Sequence, residues 1–206
     1  MGTSELRGQY QQLEARLQTL APQLQTCRRE AAGAQNEVQH AQNHLSRIQS
    51  EYHQYMSYSS YGLDEEHKQK LEAIQQELGR RMSDAQYQLR DAQSQLSAAR
   101  SRLTRLEASL RALSSGYAQL QSGFAAEIGK LETAAAKVNA LSGNRYGGNL
   151  ESLKSQLRSQ WVEMQKTSQY CAERIRQIGN ALGGGSEDGT DTGYQKVKTW
   201  REGRTR

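Results

Sequence analysis

The chain has 206 residues, a formal net charge of +5, one Pro, one Phe, two Trp and only 35% hydrophobic residues, with a mean hydropathy of -0.91. So few large apolar side chains cannot fill the thick core of an ordinary globular enzyme, but they suit long helices packed along narrow seams. No run approaches the roughly 18 apolar residues of a membrane-spanning helix, so membrane insertion is not expected.

The first periodic segment predicts a helix over about 4–56. Its apolar stripe runs from Leu6 and Tyr10 through Leu13, Leu17 and Leu24 to Val38, Ile48 and Tyr55. The steps alternate between four and three, which is a heptad pattern. Pro22 lies inside it. A proline ring removes one backbone bond, so a kink or a detached first section is expected there. The break that follows contains Tyr58, Tyr61 and Gly62, and the acids Asp64, Glu65 and Glu66 then favour a new helix start.

The second segment predicts a helix over about 64–141. Its stripe includes Leu71, Ile74, Leu78, Met82, Ala85, Leu89, Ala92, Leu96, Leu106, Leu110, Tyr117, Phe124, Leu131 and Val138. Two places, at Met82 and Phe124, take two four-residue steps in a row, a stutter that unwinds a supercoil locally. Gly116, Gly123 and Gly129 are expected to weaken the helix near the second. A Gly-rich break at residues 142–148 precedes a third helix over about 149–182, with Leu150, Leu153, Leu157, Trp161, Met164, Cys171, Ile175 and Ile178 on its stripe. Residues 183–206, Gly-rich and then basic, read as a flexible tail.

Short breaks between long helices favour antiparallel neighbours. The expected fold is all-α: an elongated antiparallel coiled coil of three helices, residues 1–182, whose long central helix pairs first with helix 1 and then with helix 3. Folding at Gly62 sets Val38 against Ala85, Leu17 against Leu106 and Leu13 against Leu110, and leaves Glu14 near Glu107. Folding near Tyr146 sets Trp161 against Leu131, Ser168 against Phe124 and Ile175 against Tyr117.

Chemistry-bearing motifs are sparse. His40 and His44 share a helix face at metal-binding spacing, but no nearby Cys or carboxylate completes a ligand set, so they read, with His53 and His67, as a solvated face. Tyr52, Tyr55, Tyr58 and Tyr61 read equally well as packing on helix 2 or as a sticky aromatic tip. Arg80, Arg81, Arg90, Arg100, Arg102, Arg105 and Arg111 make a phosphate-binding stripe conceivable, although Asp84, Asp91 and Glu107 interrupt it. Cys27 and Cys171 fall on apolar seam positions and read as buried free thiols. No phosphate loop, nucleophile elbow or catalytic carboxylate pair is present. No enzyme activity, cofactor, metal or small-molecule substrate is expected.

The helical hairpin from Leu103 to Leu182, ending Tyr170-Cys171-Ala172-Glu173-Arg174-Ile175, resembles the Trp-x-Gly helical-hairpin proteins of bacterial type VII secretion and their longer helical partners. Asn144-Arg145-Tyr146-Gly147 stands where that family carries Trp-x-Gly, and Trp161 lies inside the third helix instead. An export signal of Tyr with an acid four later is matched only by Tyr87 and Asp91. The resemblance implies export as a folded helical dimer without a cleaved signal peptide, or pairing with a secreted toxin. Without it, the lack of a signal-like start points to the cytoplasm.

The leading expectation is a non-enzymatic coiled-coil scaffold or adaptor that self-associates or binds a helical protein. Its partner-binding residues are expected to be Met82, Leu89, Leu96, Phe124, Leu131, Val138 and Trp161, on flanks of helix 2 with a single neighbour and on helix 3. A basic coiled coil that binds nucleic acid or an acidic surface is the further alternative, and nucleic acid is not the expected partner.

Overall fold

The computed structural model describes residues 3–58, 61–141 and 147–183, the side chains of residues 141 and 147–149 aside. These residues form three α-helices: α1, Thr3–Met56; α2, Glu65–Leu141; and α3, Gly147–Gly183. The tail expected beyond residue 183 lies outside the described residues, as does most of the second break.

The ends of the first break follow from capping chemistry. The last turn of α1 tightens, with the Tyr58 amide donating to the Tyr55 carbonyl at 3.3 Å and the Ser57 hydroxyl to the Gln54 carbonyl at 2.6 Å. Gly62 takes φ +84, the left-handed conformation that a side chain disfavours. Asp64 then caps α2. Its Oδ1 accepts the His67 amide at 2.9 Å, and its carbonyl accepts the Lys68 amide at 3.1 Å. The His67 amide, and then the His67 ring, hold the Asp64 carboxyl below its ordinary range.

Pro22 does not divide α1, which runs unbroken from Thr3 to Met56. The ring projects from an exposed position, and Gln18, whose carbonyl loses its donor, is exposed as well. Water can therefore satisfy that carbonyl, and the packed face goes on undisturbed.

The chain divides into two compact units, residues 26–105 and residues 1–25 with 106–206. The first is a two-helix unit of α1 and α2. Val38, Ala92 and Leu96 form one buried cluster, with Ala34, Ala41 and Leu89 half-covered against it, and Ile48, Leu78 and Ala85 are buried as well. Polar contacts flank the seam: Arg100 donates to Gln35 at 2.7 Å, Arg81 pairs with Glu51 at 3.5 Å, and Gln75 donates to the Tyr55 carbonyl at 3.1 Å. Val38 thus meets Ala92 and Leu96 rather than Ala85. The helices are offset by about one heptad from the alignment that matches Ala-rich with Ala-rich stretches. The connection permits this offset. The eight residues between the helices span roughly 25 Å when extended, more than the ~10 Å of a one-heptad step along α2.

The second unit contains parts of all three helices and the larger core. Tyr117, Phe124, Leu6, Leu110, Met164, Ile178 and Cys171 are its most enclosed side chains. The same offset appears here. Leu13 lies over Gly116, where a β-carbon would stand 3.2 Å from Leu13 Cδ1, and Leu6 lies over Gly123, where it would stand 2.9 Å from Leu6 Cδ2. These glycines, read from the sequence as weak points, are seats for α1 leucines. Beside α3, the Trp161 indole donates to Glu132 at 3.0 Å, and Arg7 of α1 pairs with Glu163.

Candidate partner-binding surface

The residues expected to face a partner divide by burial. Leu96, Phe124 and Val138 are buried, Phe124 to 1% exposure. Met82, Leu89, Leu131 and Trp161 are half-buried. No partner can reach Phe124 without displacing its neighbours. The one-heptad offset is the cause: it carries the start of α1 up to Gly123, so this part of α2 has α1 beside it as well as α3.

A different surface stands open at the end of the two-helix unit. Met56 is 50% exposed, Tyr58 53%, Tyr61 94%, Leu63 37% and Ile74 39%. Ile74, expected on the apolar stripe of α2, lies off it: the covered positions run through Leu71, Gln75, Leu78 and Met82, so Gln75 takes the seam place and Ile74 faces out. The Tyr55 carbonyl meets Gln75, so the first turns of α2 lie beyond the end of α1. Tyr52 and Tyr55 are half-buried, and the Tyr55 ring meets Tyr58 edge-on at 5.8 Å. Two tyrosines therefore pack on the unit and two project from it. Tyrosine joins a large apolar face to a polar tip and is enriched at interfaces. Acids surround this end, with Glu65 and Glu66 paired to Lys68 and Lys70. The sequence signal for it is the tyrosine run; the exposure of Ile74 was not legible, because the seam takes the polar Gln75 in place of its apolar neighbour.

The second unusual constellation is half-buried and polar. Glu14 of α1 accepts the Tyr117 hydroxyl of α2 at 2.9 Å on Oε1. The Arg174 guanidinium of α3 grips the same carboxylate two-handed, Nε to Oε1 at 2.8 Å and Nη2 to Oε2 at 3.0 Å. Arg174 also donates to Gln177 at 2.8 Å. The side chains of Glu14 and Arg174 retain 16% and 29% of their exposure. Tyr10 meets Tyr117 edge-on at 6.1 Å. Burial first, and the Glu14 charge second, push the Tyr10 hydroxyl up to about 12 and the Tyr117 hydroxyl higher still. The same two causes push the Cys171 thiol up to about 11. Glu14 thus sits nowhere near Glu107, which lies close to Arg111 instead. Among the described residues no buried side-chain polar atom lacks a partner, which makes the cluster a satisfied packing element.

The remaining motifs lie on the surface. His40, His44, His53 and His67 are exposed, and among the described residues no three His, Cys, Asp or Glu side chains converge as a metal site. Of the α2 arginines, Arg80 bonds Glu77, Arg81 and Arg100 reach α1, Arg111 pairs with Glu107, and Arg90 lies 5.9 Å from the Tyr87 ring centre. Cys27 is half-buried and Cys171 buried, both free. Tyr87 and Asp91 are exposed in mid-helix. Among the described residues no helix is long and apolar enough to cross a membrane. No protein-family model matches this chain, and neither does any curated protein or solved structure.

Proposed function

We propose that this chain is a non-enzymatic helical adaptor whose seams are antiparallel coiled coils. On this reading it binds a helical protein, or a second copy of itself, through the open end of the two-helix unit. The observation that carries the proposal is the joint exposure of Met56, Tyr58, Tyr61, Leu63 and Ile74 in one stretch of chain. An apolar and aromatic group of this kind marks an interaction site more often than a bare surface. The antiparallel pairing is supported by the contacts flanking the seam, since Gln35, Glu51 and Tyr55 of α1 meet Arg100, Arg81 and Gln75 of α2. The arginines of α2 spent on partners within the chain weigh against a phosphate-binding stripe.

Light scattering at low and high salt tests the proposal, alone and with candidate helical partners, alongside titrations with labelled RNA and DNA. Association should survive moderate salt, because apolar burial drives it. It should weaken in the double variant Tyr61→Ser, Leu63→Ser. A monomer that binds no helical protein but holds nucleic acid with a steep salt dependence would defeat it.

A further inference from the structure

The apolar seam between α1 and α2 does not by itself choose an alignment. Its positions repeat Leu and Ala at nearly every step, so moving α1 back by one heptad again sets apolar against apolar, for example Leu17 opposite Leu106. Something else must hold the resident alignment.

Two features of the three-helix unit do not survive such a move. The first is steric. Leu6 and Leu13 are one heptad apart, as are Gly123 and Gly116, and each leucine lies over one glycine. Moved back, Leu6 would fall over Gly116, but Leu13 would meet Ser109, which carries a β-carbon. The second is electrostatic. In the resident alignment Arg7 faces Glu163 and Glu14 faces Arg174. Moved back by a heptad, Arg7 takes the place of Glu14 and confronts Arg174, and Glu163 loses its cation. The Tyr117 hydroxyl loses its acceptor at the same time. Like charges in a half-buried site and an orphaned donor both penalise the moved state.

We infer that Glu14, with the Gly116–Gly123 pair, is the register key of α1. It selects one alignment on α2 and α3 and rejects its neighbour one heptad away. Charged residues that flank the seam of a coiled coil set partner choice and orientation in this manner. The inference rests on the coiled-coil reading above and deepens it.

Disulfide trapping in the full chain tests it. The resident alignment is reported by Arg7→Cys with Glu163→Cys, two half-exposed positions in contact. The moved alignment is reported by Arg7→Cys with Tyr170→Cys, one heptad along α3, and a bond from position 7 to the native Cys171 has the same meaning. Peptide mapping identifies the bonds. The otherwise unaltered chain should join 7 to 163 and leave 170 free. Adding Glu14→Arg sets a second guanidinium against Arg174, so the bond to 163 should drop to a minor product and the bond to 170 or 171 should appear. Glu14→Gln, which keeps the shape and removes the charge, should give both bonds, and it serves as the test if circular dichroism shows the Glu14→Arg variant unfolded. A helical Glu14→Arg or Glu14→Gln chain that still joins only 7 to 163 would overturn the register key while leaving the coiled coil standing. Failure of the parent to join 7 to 163 at all would overturn the helix pairing itself.

Discussion

Tyr10 illustrates how one hydroxyl ties stability to pH. Burial, reinforced by the neighbouring Glu14 charge, raises it to about 12 in the folded chain, against about 10 for an unfolded tyrosine. The folded state therefore holds this proton more firmly. Its stabilising contribution is complete below about pH 10 and is lost as pH rises through the folded value. Tyr117 is shifted in the same direction for the same causes. Thermal unfolding measured from neutral to strongly alkaline pH should show the midpoint falling above about pH 10. In Tyr10→Phe, which keeps the edge-on contact with Tyr117, the alkaline fall should be shallower. Parallel curves for the two proteins would mean that Tyr10 ionises as freely folded as unfolded.

Apolar positions along the helices differ in what they bury, and truncation should rank them. Leu17 is 2% exposed, Leu106 6% and Ile74 39%. Leu17→Ala and Leu106→Ala should each cost about 2–5 kcal/mol, and Ile74→Ala well under that because water already reaches the side chain. Denaturant titration checks the order, and equal losses at Leu17 and Ile74 would refute the assigned faces. The identity of these helices was legible because a heptad stripe needs nothing but periodic Leu, Ile, Val and Ala. The cap of α2 was legible for a similar reason, since Asp64 acts within three residues of itself. Alignment between helices was not legible. Leu17 facing Leu106 is as good an apolar match as the resident one, and what separates them is a clash at Ser109 and a charge at Arg174, both distant in sequence. Gly116 and Gly123 illustrate the limit. Helix propensity counts them as defects, whereas packing uses them as seats for Leu13 and Leu6. The enclosure of Phe124 descends from that same offset, whereas the exposure of Ile74 comes from a seam that runs through Gln75 beside it.

Taken through the whole molecule, the two units differ in what encloses their backbones. Between residues 85 and 100, α2 buries Ala85, Ala92 and Leu96, the last two with Val38 of α1, and the larger Ile48 and Leu78 of the two-helix unit lie nearer the first break. The other unit encloses Tyr117, Phe124, Leu110, Met164 and Ile178. Larger enclosed side chains raise the free energy of local opening. Hydrogen exchange should therefore be slowest in α2 between about residues 110 and 124, and faster between about 85 and 100; the reverse order would contradict this reading of the cores. The division also has a temporal meaning. Residues 26–105 form a contiguous stretch, but residues 1–25 belong with 106–206, and the Glu14–Arg174 pair joins residues 160 apart. A ribosome adding roughly 5–20 residues per second needs on the order of 10–30 s to deliver Arg174 after Glu14. Through that interval the contiguous unit can already have closed, while Arg7 and Glu14 have been made and their resident partners on α3, Glu163 and Arg174, have not. The first half of α1 thus waits for α3, made well over a hundred residues later, before it is fully enclosed, and until then its leucine stripe is one that chaperones can occupy and that other unfinished chains can join.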